Sequence, residues 1–175
     1  MGTTFLKLTV TEMEKNPEKW ERFELYNGEP VELPYTKAIH SRILMQIGYK
    51  LHNWIESERG YGDVYAGKGG IKFSDEIRYC YDLAWSDIRV TEDEIPTKSF
   101  PLMIEIVSEG NEINKLLSKV DDYLKFGAKE VWLVYPNRKS IQVYYPDNTA
   151  RTFHLEDTIS PEYLKGFTLS LKEIF

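Results

Sequence analysis

A single cysteine, Cys80, is all the thiol that this 175-residue chain contains. One cysteine cannot close an internal disulfide, and it offers no thiolate cluster for zinc. Long apolar runs are absent too, so nothing in the sequence reads as a membrane-crossing helix. The first residues, Met1-Gly2-Thr3-Thr4-Phe5-Leu6-Lys7, have neither the basic start nor the apolar core of a signal peptide. Together these absences lead us to expect a cytoplasmic protein with reduced chemistry and no membrane partner. There is no internal repeat, low-complexity stretch or Pro/Gly-rich linker, so one domain over residues 1–175 is expected. Basic charge is also short: 22 Lys and Arg face 28 Asp and Glu, a net charge of −6. That balance argues against nonspecific nucleic-acid binding, because phosphate contacts need cations. The objection is limited, since net charge describes long-range fields. Carboxylates that hold a metal also count in the total while the metal cancels them locally.

What is present is 42% hydrophobic and 14% aromatic, enough for a substantial core. Thr9 to Trp20 reads as a short charged helix feeding a hairpin. Arg22 to Tyr26 alternates as a strand, Asn27-Gly28 is a strong two-residue turn signal, and Val31-Glu32-Leu33 returns before Pro34. From Lys37 to about Glu58 the period lengthens. Ile43, Leu44, Ile47, Leu51, Trp54 and Ile55 form one face of an amphipathic helix. Short strands are predicted at Asp63–Ala66, Ile71–Phe73 and Tyr81–Trp85, with turns at Gly67–Gly70 and Ser74–Arg78. An acidic loop, Thr91 to Lys98, leads to a strand at Leu102–Val107. Glu112 to Phe126 is a second helix, its core stripe read as Ile113, Leu116, Leu117, Val120 and Leu124, with Gly127 as its stop. Val131 to Tyr135 is almost continuously apolar, which suits a central strand covered on both faces. Pro136-Asn137 turns the chain into Ile141–Tyr145, and the tail after Arg151 reads as an edge strand and a short cover. The strand–helix–strand unit from Leu102 to Tyr135 implies a right-handed crossover and a parallel pair. The expected class is α/β, a mixed β-sheet flanked by helices with an N-terminal β-hairpin.

Two strands each carry one carboxylate among apolar and aromatic neighbours, Asp82 in Tyr81–Trp85 and Glu105 in Leu102–Ser108. Burying such a group is costly unless it is paired, hydrogen-bonded or bound to a cation. A divalent metal shared by both is the simplest occupant, and Mg²⁺ or Mn²⁺ suits oxygen ligands. The carbonyl of Ile106 is a candidate third donor. Lys119 flanks the stripe of the following helix, one turn before Tyr123, where it can lean over the strand end. There it would orient water or offset charge on a phosphate. Taken singly, each of these residues also has an ordinary reading as an exposed strand carboxylate or a solvated lysine. Glu105 resists that reading because it shares its strand face with Met103 and Val107. His40, at the start of the first helical stripe, is more often a packing residue than a ligand. Glu24 alternates with Phe23 and Leu25 and so points outward or into a polar pocket.

With these residues in order, the chain resembles the Uma2 family, formerly a domain of unknown function, of the PD-(D/E)XK nuclease superfamily. The resemblance runs from about Thr9 to Phe175. It rests on Glu24-Leu25-Tyr26-Asn27-Gly28-Glu29, on His40, on Tyr81-Asp82-Leu83, on Glu105-Ile106-Val107-Ser108, on Lys119 with Tyr123, and on Gly127 to Tyr135. It implies a restriction-endonuclease-like core with Asp82 and Glu105 as metal ligands. Val107 stands where the superfamily's usual lysine would be, and the resemblance implies that Lys119 on the next helix takes its place. Three further departures are Tyr81 for a proline, Glu109 for a proline and Lys115 for an aspartate. Lys115, Lys119 and Tyr123 then share one helical stripe. In that position Lys115 would either strengthen phosphate binding or depress and repel Lys119. The expected activity is metal-dependent hydrolysis of DNA, with RNA left open by the sequence. The other reading is an inactive member serving as a nucleic-acid or protein binding module. A homodimer is compatible with edge strands and exposed aromatics.

Overall fold

The computed structural model describes residues 7–57, 60–91 and 94–175. All but Lys7 of the Met1–Lys7 stretch, read as lacking the features of a signal peptide, lies outside them, as do the helix end expected at Glu58 and two positions of the acidic loop, Glu92 and Asp93. Thr9 to Trp20 forms two short helices rather than one, α1 (Val10–Glu14) and α2 (Pro17–Trp20). Thr9 caps α1 by accepting the Glu12 N–H while Glu12 accepts that of Thr9, and Pro17 starts α2 afresh. The hairpin follows as read, β1 (Phe23–Tyr26) and β2 (Glu29–Glu32). Its turn residues Asn27 and Gly28 stand at φ +49° and +82°, the paired positive values that Asn-Gly tolerates.

Helix α3 (Ala38–Glu56) buries His40, Ile43, Ile47, Leu51 and Trp54, the face its period predicted. The glycine-rich stretch read as a turn is instead a bulge inside one long strand, β3 (Asp63–Ser74), whose register against β4 (Ile77–Ser86) shifts between Ala66 and Gly69. Pairing with β4 on both sides of the bulge keeps the strand continuous. Then come β5 (Leu102–Ile106), α4 (Ile113–Lys125) and β6 (Glu130–Tyr135). β5 and β6 are parallel, from Leu102 opposite Glu130 to Ile106 opposite Val134, as the strand–helix–strand unit implied. A 3-10 turn at Pro136–Arg138 leads to β7 (Ser140–Tyr144), then edge strand β8 (Ala150–Phe153). β9 (Thr158–Ile159) and β10 (Leu169–Ser170) make a small separate pair.

The result is an eight-stranded mixed sheet in the order β2-β1-β4-β5-β6-β7-β8, with β3 on β4. Helix α3 and the C-terminal tail cover one face, where Ile47, Leu51 and Trp54 meet Leu83, Ile104, Trp132 and Leu169. Helix α4 covers the other, where Leu116, Val120 and Tyr123 meet Met103, Val131 and Leu133. β6 contributes to both clusters, which explains its apolar run. The buried face of α4 is rotated from the expected stripe. Ile113 is half exposed, whereas Lys119 and Tyr123 point inward. Among the described residues no helix is long and apolar enough to cross a membrane.

Candidate active site

The site begins as a fork in the sheet. β3 occupies one edge of β4 along nearly its whole length. The opposite edge is shared, with β1 meeting it only at Leu25/Arg78 and β5 only at Leu83–Trp85. Between those contacts, from Tyr79 to Asp82, β4 has no strand partner on that edge. Buried backbone groups there need others, because an unsatisfied one is costly. Side chains supply them. The Cys80 N–H donates to Glu24 Oε1 at 2.8 Å, and the Cys80 carbonyl accepts from Lys119 Nζ at 2.8 Å. Across the fork, the Ile106 N–H donates to Asp82 Oδ2 at 2.8 Å. Chain divergence therefore draws two carboxylates and an ammonium to one place.

Asp82 and Glu105 stand one residue beyond Leu83/Ile104, the last pair of the β4–β5 ladder, where the two strands begin to part. Both line a cleft of about 130 Å³ together with Glu24, His40, Lys115 and Lys119. Asp82 Oδ2 also lies 3.0 Å from His40 Nε2. An ionised carboxylate only accepts, so this contact places the hydrogen on Nε2. Glu105 Oε1 accepts from the Tyr123 hydroxyl at 2.8 Å and stands 3.0 Å from Lys119 Nζ. Each carboxylate thus has one oxygen anchored by the protein. Asp82 Oδ1 and Glu105 Oε2 accept no hydrogen bond among the described residues.

Lys119 is only 4% exposed. Two of its hydrogens go to Glu24 Oε1, at 2.7 Å, and the Cys80 carbonyl, leaving the third directed among Glu105 and the cleft. Burial alone would lower its pKa, but the charges of Glu105 and Glu24 outweigh burial and hold the ammonium well above its ordinary value. Lys119 is therefore a fixed cation and donor, not a base. Burial pushes Glu105 in the other direction, up to about 8, against the lowering by Lys119 and with Asp82 and Glu24 adding to the rise. Glu24, 3% exposed, also accepts from the Tyr26 hydroxyl at 2.7 Å, and its aim into a polar pocket is one of the two directions that strand alternation left open.

The sequence-read residues Asp82, Glu105, Lys119, Glu24, His40 and Tyr123 come together in two adjoining hydrogen-bonded groups, His40 with Asp82 and Glu24, Lys119, Glu105 with Tyr123. Lys115 stands apart at the cleft mouth, its ammonium 3.0 Å from Glu29 and 3.7 Å from Glu112. The depression of Lys119 by Lys115 is not found, because acids on both sides neutralise each lysine separately. The backbone of Cys80 and the Ile106 N–H were not foreseen as parts of the site. Backbone groups carry no residue signature, and only the sheet topology exposes them.

Among the described residues no group of three or more His, Cys, Asp or Glu side chains is arranged to hold a metal ion. Two carboxylates with one free oxygen each nevertheless fit Mg²⁺, which takes one or two carboxylates and keeps several waters. An all-protein cage is not what that ion requires.

The family model of Uma2, described as "Putative restriction endonuclease", matches residues 5–172. A solved structure titled as "a putative nuclease belonging to DUF820" from Anabaena variabilis ATCC 29413 superposes with a TM-score of 0.82. The two are 22% identical, and the match covers 96% of this chain and 97% of that one. At that identity the likeness shows a shared fold. No curated protein matches the sequence. The family match spans nearly the whole chain, and the chain belongs to the Uma2 family.

Proposed function

We propose that this protein is a metal-dependent endonuclease that hydrolyses DNA phosphodiester bonds, using Mg²⁺ or Mn²⁺ held by Asp82 and Glu105. The observation that carries this reading is the pair of free oxygens, Asp82 Oδ1 and Glu105 Oε2, lining one cleft beside a buried, charged lysine. A divalent cation bound there supplies a more acidic water and offsets charge on a phosphate. His40 and the Ile106 N–H fix the Asp82 carboxylate by its other oxygen, and Tyr123 does the same for Glu105. Lys119 keeps its proton and holds its positive charge at the cleft wall, where negative charge grows as the phosphodiester is attacked. Glu24 keeps that ammonium charged and in place. In this reading residues 1–175 act as one cytoplasmic domain, and a homodimer would let two sites reach two strands.

Calorimetric titration with Mg²⁺ and Mn²⁺, comparing wild type and Glu105→Ala, tests the reading. Binding by the wild type that vanishes in the variant supports the site, and Asp82→Ala and Glu105→Ala then abolish cleavage while the protein stays folded. Cleavage that survives both substitutions overturns the assignment. The limited donor set favours one competing reading, a nuclease fold retained as a binding module. That reading predicts no metal binding by the wild type with or without nucleic acid.

A further inference from the structure

A second cavity, of about 80 Å³, adjoins the carboxylate cleft and shares Pro34, His40, Ser108 and Gly110 with it. Its other walls are mainly apolar, formed by Tyr35, Ile39, Val107 and Pro136, with the Asn137 amide at the rim. The two cavities lie on either side of a strap. A Cβ built on Gly110 would stand 3.3 Å from Pro34 Cβ, so the segment leaving β2 touches the loop after β5. An ion pair of Lys37 with Glu109 ties the same two segments together. The imidazole of His40 lines both sides, and its Nε2 is the atom that contacts Asp82.

We infer that this second cavity receives the unpaired base of the nucleotide next to the phosphate bound at Asp82 and Glu105, so that the substrate is a single strand or a locally unpaired end. The inference rests on the nuclease reading above. Three observations favour a base as occupant. The cavity adjoins the polar cleft across the Pro34–Gly110 strap, sharing four lining residues with it, as a base lies next to its phosphate in a strand. Tyr35 is 85% exposed beside it, with the Arg22 guanidinium 3.7 Å from its ring centroid on one face, so its ring is available for stacking. Finally, Asp82 and Glu105 are only 9% and 6% exposed in the cleft that Pro34 and Gly110 also line. A base paired inside a duplex does not reach such a recess without leaving its stack.

The test is fluorescence anisotropy of wild-type protein with a labelled oligothymidylate, an abasic strand of the same length, and a blunt duplex, in EDTA and again in Mg²⁺. Wild type is expected to bind the oligothymidylate about tenfold more tightly than the abasic strand, as one stacked base provides, and more tightly than the duplex. Tyr35→Ala and the cavity-filling Ile39→Trp should both lose that preference, whereas Tyr35→Phe keeps it. An unchanged preference in Tyr35→Ala or Ile39→Trp overturns the base pocket, as does a duplex bound as tightly as the single strand. In those cases metal-dependent cleavage would leave the nuclease reading standing. Wild type that binds no strand and no duplex removes both.

Discussion

Three buried acids, Glu24, Glu105 and Glu130, carry most of the consequences at the scale of single residues. Lys119 and Glu24 lie 2.7 Å apart, each about 4% exposed in its side chain. Removing one member of such a pair leaves an uncompensated buried charge, which costs about 3–5 kcal/mol. Lys119→Met should lower stability by that amount in urea denaturation, and adding Glu24→Gln should recover part of it. Recovery in the double variant separates broken pairing from lost packing. Tyr123→Phe removes only the hydroxyl that orients Glu105, so the fold should hold while metal affinity drops about tenfold, as lost outer partners do. Glu130, remote from the cleft, is a pH reporter. Burial raises its pKa above 4.5, opposed by the hydrogen bond from Trp132 Nε1. A raised carboxyl contributes stability below its unfolded pKa and loses it as pH rises through the folded one. Glu130→Gln keeps an acceptor for Trp132 but no charge. Melting temperatures of the variant and wild type should therefore converge at acidic pH, with the variant ahead at neutral pH.

Elements show why some of this was legible and some was not. The hairpin, α3 and β6 announce themselves through local patterns: an Asn-Gly turn, a helical apolar face, and a continuous run of apolar residues. Their structures follow those patterns because local preference and burial agree. Helix α4 does not, since hydropathy places Ile113 in the core and Lys119 on its flank, and the structure reverses them. What buries Lys119 is Glu24, 95 residues earlier, and a strand fork that no local pattern encodes. The same fork explains why Asp82 and Glu105 could be proposed as partners from their strands, yet the Ile106 N–H that anchors Asp82, and the Cys80 backbone that holds Glu24 and Lys119, could not. β3 failed for a different reason. Glycines signal turns, but here β4 supplies pairing on both sides of the bulge and keeps the strand intact. The resemblance carried Lys119 to its position where Val107 replaces the usual lysine, and the sheet geometry now shows how a helix lysine reaches the strand carboxylates.

For the whole molecule, the problem is how a chain of net charge −6 approaches a polyanion. The lysines near the two cavities are Lys37, Lys115 and Lys119, and each already faces a glutamate, while Arg22 lies against the Tyr35 ring and donates to the Leu33 carbonyl. Nucleic acid must therefore compete with internal partners, so that few condensed counterions are released on binding. Three phosphate contacts on a single strand would give a slope of log K against log salt of about −2. We expect a slope no steeper than that, and one made shallower by about one contact in Lys115→Ala, because Lys115 at the cleft mouth is the cation most able to exchange Glu29 for phosphate. Affinity titrations of the oligothymidylate across a salt series measure both values. A markedly steeper slope would mean that binding uses a basic surface elsewhere, away from the carboxylates. A slope near this bound, combined with metal binding lost in Glu105→Ala, would mean that the metal and the base pocket, more than general attraction to phosphate, hold the strand in place.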